Sequence, residues 1–211
     1  MTLQEFFAKN PRAAIAFSGG VDSSYLLYAA VQCGADVHAY FAKTAFQPQF
    51  ELDDAQRLAE SVGAKLTVLE LDALSSEDVA RNPANRCYYC KQNIFGNLKR
   101  AAAEDGFTLI LDGTNASDDA GDRPGMRALR EMDVRSPLRE CGLKKAEIRR
   151  LSHEAGLFTW DKPGCSPGTS PPMPALPRAS PPARASRRSC WPPRSAPRAG
   201  CSRRATRTSA S

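Results

Sequence analysis

The sequence predicts an α/β protein in which a parallel sheet has helices on both faces and a disordered tail follows. Short apolar runs alternate with segments of helical periodicity along the first three quarters of the chain. A Gly-rich turn joins the first apolar run directly to the first helix, and the composition changes abruptly after residue 165. Alternation of this kind is typical of βαβ units with right-handed crossovers, which place strands side by side and parallel.

The elements follow from the spacing of apolar residues. The predicted strands are the short apolar runs Ala13–Phe17, Asp36–Phe41, Lys65–Leu71 and Thr108–Asp112. The predicted helices have apolar residues three and four apart and are Ser23–Gln32, Glu51–Val62, Lys91–Asp105, Gly125–Glu131 and Lys144–Ala155. Gly34 and Gly63 end the first and second helices, because glycine adopts the left-handed conformation that closes a helix.

The loops that leave the strands should share one crevice. Ligands of open parallel sheets bind outside the carboxyl ends of the strands. Segments 18–23, 43–49 and 113–119 each follow a predicted strand. We therefore expect these three loops to face a common ligand site.

The chain divides into two pieces of different chemistry. Residues 1–165 carry 20 Lys and Arg against 23 Asp and Glu, whereas residues 166–211 carry nine Arg and no Lys, Asp or Glu. The second piece also has ten of the 16 prolines and cannot bury enough apolar surface to fold. We predict a folded domain over 1–165 and a disordered Pro/Arg/Ser/Ala tail over 166–211. The tail's composition favours translation of a GC-rich gene in a shifted reading frame over a basic arm that binds nucleic acid.

The cysteines and the hydropathy pattern predict a cytoplasmic protein. Seven cysteines without an apolar leader at the start of the chain indicate reduced thiols rather than a disulfide framework. No run approaches the roughly 18 apolar residues of a membrane span, so no membrane contact is expected.

The stretch Ser18-Gly19-Gly20-Val21-Asp22-Ser23-Ser24 is the strongest chemical signal. A Gly turn that opens into a helix presents backbone N–H groups at the positive helix end, which suits pyrophosphate. It lacks the Lys of the P-loop and the three spaced glycines of the dinucleotide fingerprint. Ser18, Gly19, Gly20, Asp22 and Ser23 are therefore predicted to bind a pyrophosphate group. These residues resemble the pyrophosphate loop of the ATP pyrophosphatase superfamily; the alternative is an ordinary strand-to-helix turn with a Ser or Asp cap.

A second Gly turn follows the fourth strand at Asp112-Gly113-Thr114-Asn115. Gly113, Thr114 and Asn115 are predicted to hold the ribose or α-phosphate of ATP, and a carboxylate of this loop could bind Mg²⁺ with the phosphates. The alternative is an Asx turn with solvated acids.

Cys87 and Cys90 form a C-x-x-C pair at the start of a helix. A zinc site normally has four ligands, and no second close pair or His lies nearby in the sequence. A helix N-terminus favours the thiolate form of a cysteine, so the pair indicates redox-active or structural cysteines.

Residues 1–165 resemble the LarE family of ATP-dependent sacrificial sulfur transferases. The shared segments are SGGVDSS, N-x-x-x-R-C-Y-Y-C-K (82–91), DGTNASD (112–118), VRSPL (134–138) and WDKP (160–163). The resemblance implies an adenine nucleotide α-hydrolase fold, ATP with Mg²⁺, and a small-molecule carboxylate substrate, a pyridinium dicarboxylate mononucleotide. It also implies adenylation of the carboxylate with release of pyrophosphate. A protein cysteine then attacks and gives up its sulfur, as in synthesis of the nickel-pincer cofactor of lactate racemase.

The resemblance breaks down where the sulfur-donating cysteine is expected. Cys165 is the best candidate, yet it is followed by Ser166-Pro167 and then by the Pro/Arg tail. The family's cysteine could also fall near 167, where this chain has Pro167. Some family members use a cysteine-bound iron–sulfur cluster instead, and the family's C-terminal part supplies substrate and oligomer contacts. We expect ATP binding with impaired sulfur transfer, and a homo-oligomer where that part is present.

The sequence leaves alternative functions open. Another enzyme of the superfamily, such as a tRNA thiolase or an amide-forming synthetase, shares the SGG-x-D-S pattern. A nucleotide-binding remnant without sulfur transfer is a further alternative. The RCYYCK and WDKP segments favour the sulfur transferase.

Overall fold

Four parallel strands form the sheet at the centre of a computed structural model that describes residues 1–44, 48–71, 86–118 and 124–163. The strands are β1 (Arg12–Phe17), β2 (Asp36–Thr44), β3 (Lys65–Leu71) and β4 (Ile110–Leu111), in the spatial order β3-β2-β1-β4. Ile15 of β1 lies opposite Ala39 of β2 and Leu111 of β4. The central strand β1 is continuously apolar because both faces of the sheet are covered.

Helices connect and cover the strands. Their bounds are α1 (Leu3–Lys9), α2 (Val21–Gln32), α3 (Gln49–Val62), α4 (Arg86–Glu104), α5 (Pro124–Glu131), α6 (Pro137–Glu140) and α7 (Lys145–Glu154). The C-terminal turn of α3 ends at Gly63, whose φ of 74° is the left-handed conformation predicted for it.

Two apolar clusters lie on opposite faces of the sheet. Because successive side chains of a strand point to opposite faces, Ile15 belongs to one cluster and Ala14 to the other. The Ile15 cluster includes buried side chains from α1, α2, α3, α6 and α7, and the Ala14 cluster includes side chains from α4 and α5. The predicted α/β fold, with helices on both faces of a parallel sheet, is confirmed.

Several predicted element bounds are wrong. Helix α1 was not predicted, yet a capping box between Thr2 and Glu5 starts it and it buries Phe6 and Phe7 completely or nearly so. The short helix α6 was not predicted either.

The last strand and the third predicted helix also differ from expectation. The ladder of β4 covers Ile110–Leu111 rather than 108–112, and the N–H of Asp112 donates to the carbonyl of Arg135 at 2.9 Å. Helix α4 begins at Arg86 rather than Lys91, and Cys87 and Cys90 lie in its first turns, which agrees with the prediction of a C-x-x-C pair at the start of a helix.

Among the residues that the structure describes, no helix is both long and apolar enough to cross a membrane.

Candidate functional site

The turn between β1 and α2, residues 18–23 and here called the SGG turn, presents free backbone donors. Gly19 has a φ of 71°, and Gly20 is the N-cap of α2 with extended backbone. The first bond of the helix runs from Ser24 N to Gly20 O at 3.0 Å. The N–H groups of residues 21–23 therefore find no acceptor among the described residues, and they lie at the positive end of the helix, where an anion binds.

The hydroxyl of Ser23 holds this turn in shape. It donates to the carbonyl of Gly20 at 3.2 Å, lies 3.1 Å from the hydroxyl of Ser18, and accepts the N–H of Ser18 at 3.3 Å. Ser23 is only 4% exposed, so water does not compete for these bonds. One side chain of the predicted site thus acts as a brace for the others.

The second Gly turn lies directly on the first. A Cβ atom added at Gly113 would come within 2.9 Å of Ser23 N and 3.1 Å of Ser23 Cα, which leaves no room for a side chain. The buried Asn115 donates from Nδ2 to Asp22 Oδ1 at 3.4 Å. The structure brings the loops 18–23 and 113–118 together, as expected for loops that leave the carboxyl ends of parallel strands; residues 45–47 of the third loop lie outside the described residues.

The hydroxyl of Thr114 makes a hydrogen bond within its own turn. It donates to a carboxylate oxygen of Asp112, and Ser136 Oγ donates to the other oxygen at 2.5 Å. Asp112 is 6% exposed and therefore serves as a buried acceptor that joins the second Gly turn to the segment before α6. This arrangement favours a structural role for Thr114.

Lys145 is a residue of the site that sequence reasoning did not single out. It is the first residue of α7, and its ammonium forms an ion pair with Asp22. The two side chains are 29% and 21% exposed, so water partly screens the pair. Its place in the first turn of a helix, where a cation opposes the helix dipole, does not by itself identify Asp22 as its partner.

Lys162 reaches the SGG turn from the other side. Its Nζ lies 2.7 Å from Asp54 Oδ2 of α3 and 3.4 Å from the carbonyl oxygen of Gly19. In the sequence, this lysine stands out only as part of the WDKP segment. Two ammonium groups thus flank the loop that the sequence assigned to phosphate.

The predicted cysteine sites are described only in part. Cys87 is exposed and Cys90 is half-buried in the first turns of α4, three residues apart and so on neighbouring positions of the helix surface. Within the described residues no group of three or more His, Cys, Asp or Glu could hold a metal ion. Cys165 lies outside the described residues.

Comparisons with known proteins agree with this picture. The family model of asparagine synthase matches residues 8–116. An uncharacterized protein of Synechocystis sp. is 38% identical over 164 residues, which cover 76% of this chain and 60% of that protein. The pyridinium-3,5-bisthiocarboxylic acid mononucleotide synthase of Lactiplantibacillus plantarum is 37% identical over 153 residues, which cover 72% of this chain and 55% of the synthase.

A solved structure shows the same fold. The NMN synthetase of Francisella tularensis superposes with a TM-score of 0.60 at 18% identity, covering 77% of this chain and 70% of that one. The chain spans 60% and 55% of the lengths of the two relatives above, so it corresponds to part of each.

Proposed function

The chain belongs to the asparagine synthase family, and from this premise we propose that it splits ATP into AMP and pyrophosphate to activate a substrate carboxylate for sulfur transfer. The relative from Lactiplantibacillus plantarum, named as the synthase of a bisthiocarboxylic acid, supports this choice of reaction. A thiocarboxylate differs from a carboxylate by one sulfur atom in place of oxygen. Making it requires an oxygen leaving group, and AMP provides one.

The observation that carries the proposal is the convergence of donors on the SGG turn. Backbone N–H groups at the start of α2 point out of the helix, and the ammonium of Lys145 lies beside them on Asp22. When the α–β bond breaks, negative charge grows on the departing pyrophosphate. Fixed donors aimed at that charge stabilise the transition state more than the ground state.

Asp22 is the residue that would hold Mg²⁺. Its carboxylate lies at the start of α2 and is about one-fifth exposed, and Mg²⁺ in nucleotide sites is held by one or two carboxylates together with phosphate oxygens. A single carboxylate at the SGG turn fits that ligand set. The ion would neutralise charge on the phosphates, while Lys145 would be released from Asp22 to contact a phosphate oxygen.

The remaining chemistry would proceed in two displacements. A carboxylate oxygen of the substrate attacks the α-phosphorus, the bond to the β-phosphate oxygen breaks, and an acyl-adenylate forms with release of pyrophosphate. A cysteine thiolate then attacks the acyl carbon and AMP leaves. Breaking the cysteine's Cβ–S bond with loss of the α-proton would leave a thiocarboxylate and dehydroalanine.

We propose Cys165 as the donor thiol, with the nucleotide site confined to residues 1–165. Because Pro167 and the Pro/Arg tail replace the run that follows in the resembling family, the sulfur step is expected to be slower than adenylation. A cluster on Cys87 and Cys90 stays a prediction, as an alternative source of sulfur.

The test uses the purified full chain with ATP, Mg²⁺ and a pyridinium dicarboxylate mononucleotide. Carboxylate-dependent release of AMP and pyrophosphate supports the proposal, and intact-mass spectrometry then reports whether a cysteine has lost its sulfur. Parallel reactions with unmodified tRNA or with ammonia as acceptor separate the thiolase and amide-forming alternatives. Release of ADP and phosphate, or AMP only with tRNA or ammonia, would contradict it.

A further inference from the structure

Lys162 is held between two acceptors that come from different elements. Its ammonium lies 2.7 Å from Asp54 Oδ2 and 3.4 Å from Gly19 O, and its side chain is 24% exposed. The Phe158 ring centroid lies 5.7 Å from the same nitrogen. A solvated surface lysine makes none of these contacts, so the Lys162 side chain is held in one place by its neighbours.

The backbone on both sides of Lys162 is fixed as well. Arg149 donates from Nη2 to the carbonyl of Lys162 at 2.8 Å and from Nη1 to the carbonyl of Trp160 at 3.4 Å. The N–H of Lys162 donates to the carbonyl of Thr159 at 3.2 Å. Helix α7 thus anchors the segment from which the ammonium reaches the SGG turn.

The contact with Gly19 determines where the next N–H points. In a planar trans peptide the carbonyl and the N–H of the following residue point in opposite directions. A cation on the Gly19 carbonyl therefore directs the Gly20 N–H away from Lys162. In the structure that N–H makes only a long bond of 3.4 Å to Ser18 Oγ, so it can turn to a better acceptor. Glycine on both sides of this peptide would otherwise allow it to rotate freely.

We propose that Lys162 is a positioning residue that orients the Gly19–Gly20 peptide, so that its N–H faces the pyrophosphate or the β,γ-phosphates of a nucleoside triphosphate. This deepens the proposed function and rests on it. Asp54 is part of the same device, because it holds the ammonium against the carbonyl. The donated hydrogen bond also polarises the peptide and strengthens its N–H as a donor.

A simple charge effect makes a different prediction. If Lys162 acted only as a nearby positive charge, removing the neighbouring negative charge of Asp54 would strengthen the binding of an anion. If it acts by position, the loss of Asp54 weakens binding, because the ammonium is no longer held in place. The Asp54→Asn variant therefore separates the two explanations by the direction of the change.

The test measures affinity by calorimetry for magnesium pyrophosphate and for adenosine, with the full chain. Lys162→Met and Asp54→Asn are compared with Lys162→Arg. The control is Lys65→Met, because Lys65 is exposed at the start of β3 and therefore lies at the end of the sheet opposite the SGG turn. We expect Lys162→Met to weaken pyrophosphate binding by about tenfold. Asp54→Asn should weaken it in the same direction, Lys162→Arg should restore most of it, and adenosine binding should not change.

Each outcome is informative. If the wild-type chain binds neither pyrophosphate nor ATP, the proposed function fails, and this inference fails with it. If it binds them and Lys162→Met binds equally well, only the positioning role is wrong. Tighter or unchanged pyrophosphate binding by Asp54→Asn also overturns that role. If Lys162→Met does not fold, Asp54→Asn and Lys162→Arg still decide the question.

Discussion

The ammonium of Lys145 lies against the carboxylate of Asp22, although 123 positions separate them in the chain. The pair places a cation from the start of α7 next to the SGG turn. Asn115 contacts the other carboxylate oxygen, so Asp22 is held from two sides. The carboxylate of Asp22 therefore joins three segments of the chain: the SGG turn, the second Gly turn and the start of α7.

Replacing Lys145 by Met should weaken ATP binding strongly. The variant removes a cation from the phosphate site and leaves Asp22 as an unpaired negative charge beside the incoming phosphates. We expect the dissociation constant for ATP, measured by calorimetry without Mg²⁺, to rise by about tenfold or more.

A double variant distinguishes these two causes. Adding Asp22→Asn to Lys145→Met removes the repulsive carboxylate and should restore part of the affinity in the absence of Mg²⁺. In the presence of Mg²⁺ the same addition should not help, because Asp22 is the proposed metal ligand. Unchanged affinity in Lys145→Met would exclude Lys145 from the site.

Gly113 should not tolerate alanine. The added Cβ would lie 2.9 Å from the backbone nitrogen of Ser23 and would push the two Gly turns apart. Overpacking of this kind costs about 1–3 kcal/mol of the free energy of unfolding. Urea denaturation reports the loss, and ATP affinity should fall with it.

Gly96 provides the matched control for that substitution. It lies in the interior of α4, is exposed, and a Cβ there would meet nothing within 4 Å. Gly96→Ala should raise the free energy of unfolding by about 0.5–1 kcal/mol through helix propensity. A loss of stability in Gly96→Ala comparable to that in Gly113→Ala would show that the close approach is not the cause.

The closeness of the two Gly turns of the candidate site was predictable in part, because the SGG turn is a local feature of the sequence. The glycines of the SGG turn and the switch from apolar run to helix lie within one short stretch. The rule that loops leave the carboxyl ends of parallel strands places the second Gly turn at the same end of the sheet. The bounds of β3, Lys65–Leu71, were predicted without error for a similar reason: Gly63 and the apolar run mark them.

The flanking lysines were not predictable, since their role depends on long-range contacts. Lys145 lay within a dense run of basic residues, and only the folded chain shows that it reaches Asp22. Helix α1 was not predicted because its apolar stripe, Leu3, Phe6 and Phe7, is too short to be recognised without the sheet face that it covers. Tertiary contact, not propensity, stabilises such short helices.

Acid should destabilise the fold through His38. Its imidazole lies 2.8 Å from Thr67 Oγ1 and stacks on Tyr40 with ring centroids 4.6 Å apart. Burial lowers the pKa of His38 below its ordinary value, although Asp105, 3.8 Å away, opposes that shift. The unfolded chain therefore binds the proton more readily than the folded one, and stability decreases as the pH falls below about 6.5.

Thermal melts between pH 5 and 8 measure this dependence. His38→Asn removes the titrating group and should flatten the pH profile above pH 5, where most carboxylates are still ionised. An identical slope for wild type and variant would assign the pH dependence to other groups.

The adjacent serines Ser23 and Ser24 should respond in opposite ways to alanine. Ser23 Oγ contacts Ser18 and Gly20, whereas Ser24 Oγ is fully buried and has no partner among the described residues. Ser23→Ala leaves the turn without its brace and the Ser18 N–H without its acceptor, at a cost of about 1–3 kcal/mol in the free energy of unfolding and with weaker pyrophosphate binding. Ser24→Ala removes an unsatisfied hydroxyl and gains helix propensity, so stability should rise by about 0.5–1 kcal/mol with pyrophosphate affinity unchanged. Chemical denaturation measures the stability of the two variants, and calorimetry measures their affinity for pyrophosphate. The variants are matched because they carry the same chemical change at adjacent positions. A similar loss of pyrophosphate affinity in both would show that the Ser23 contacts do not shape the turn.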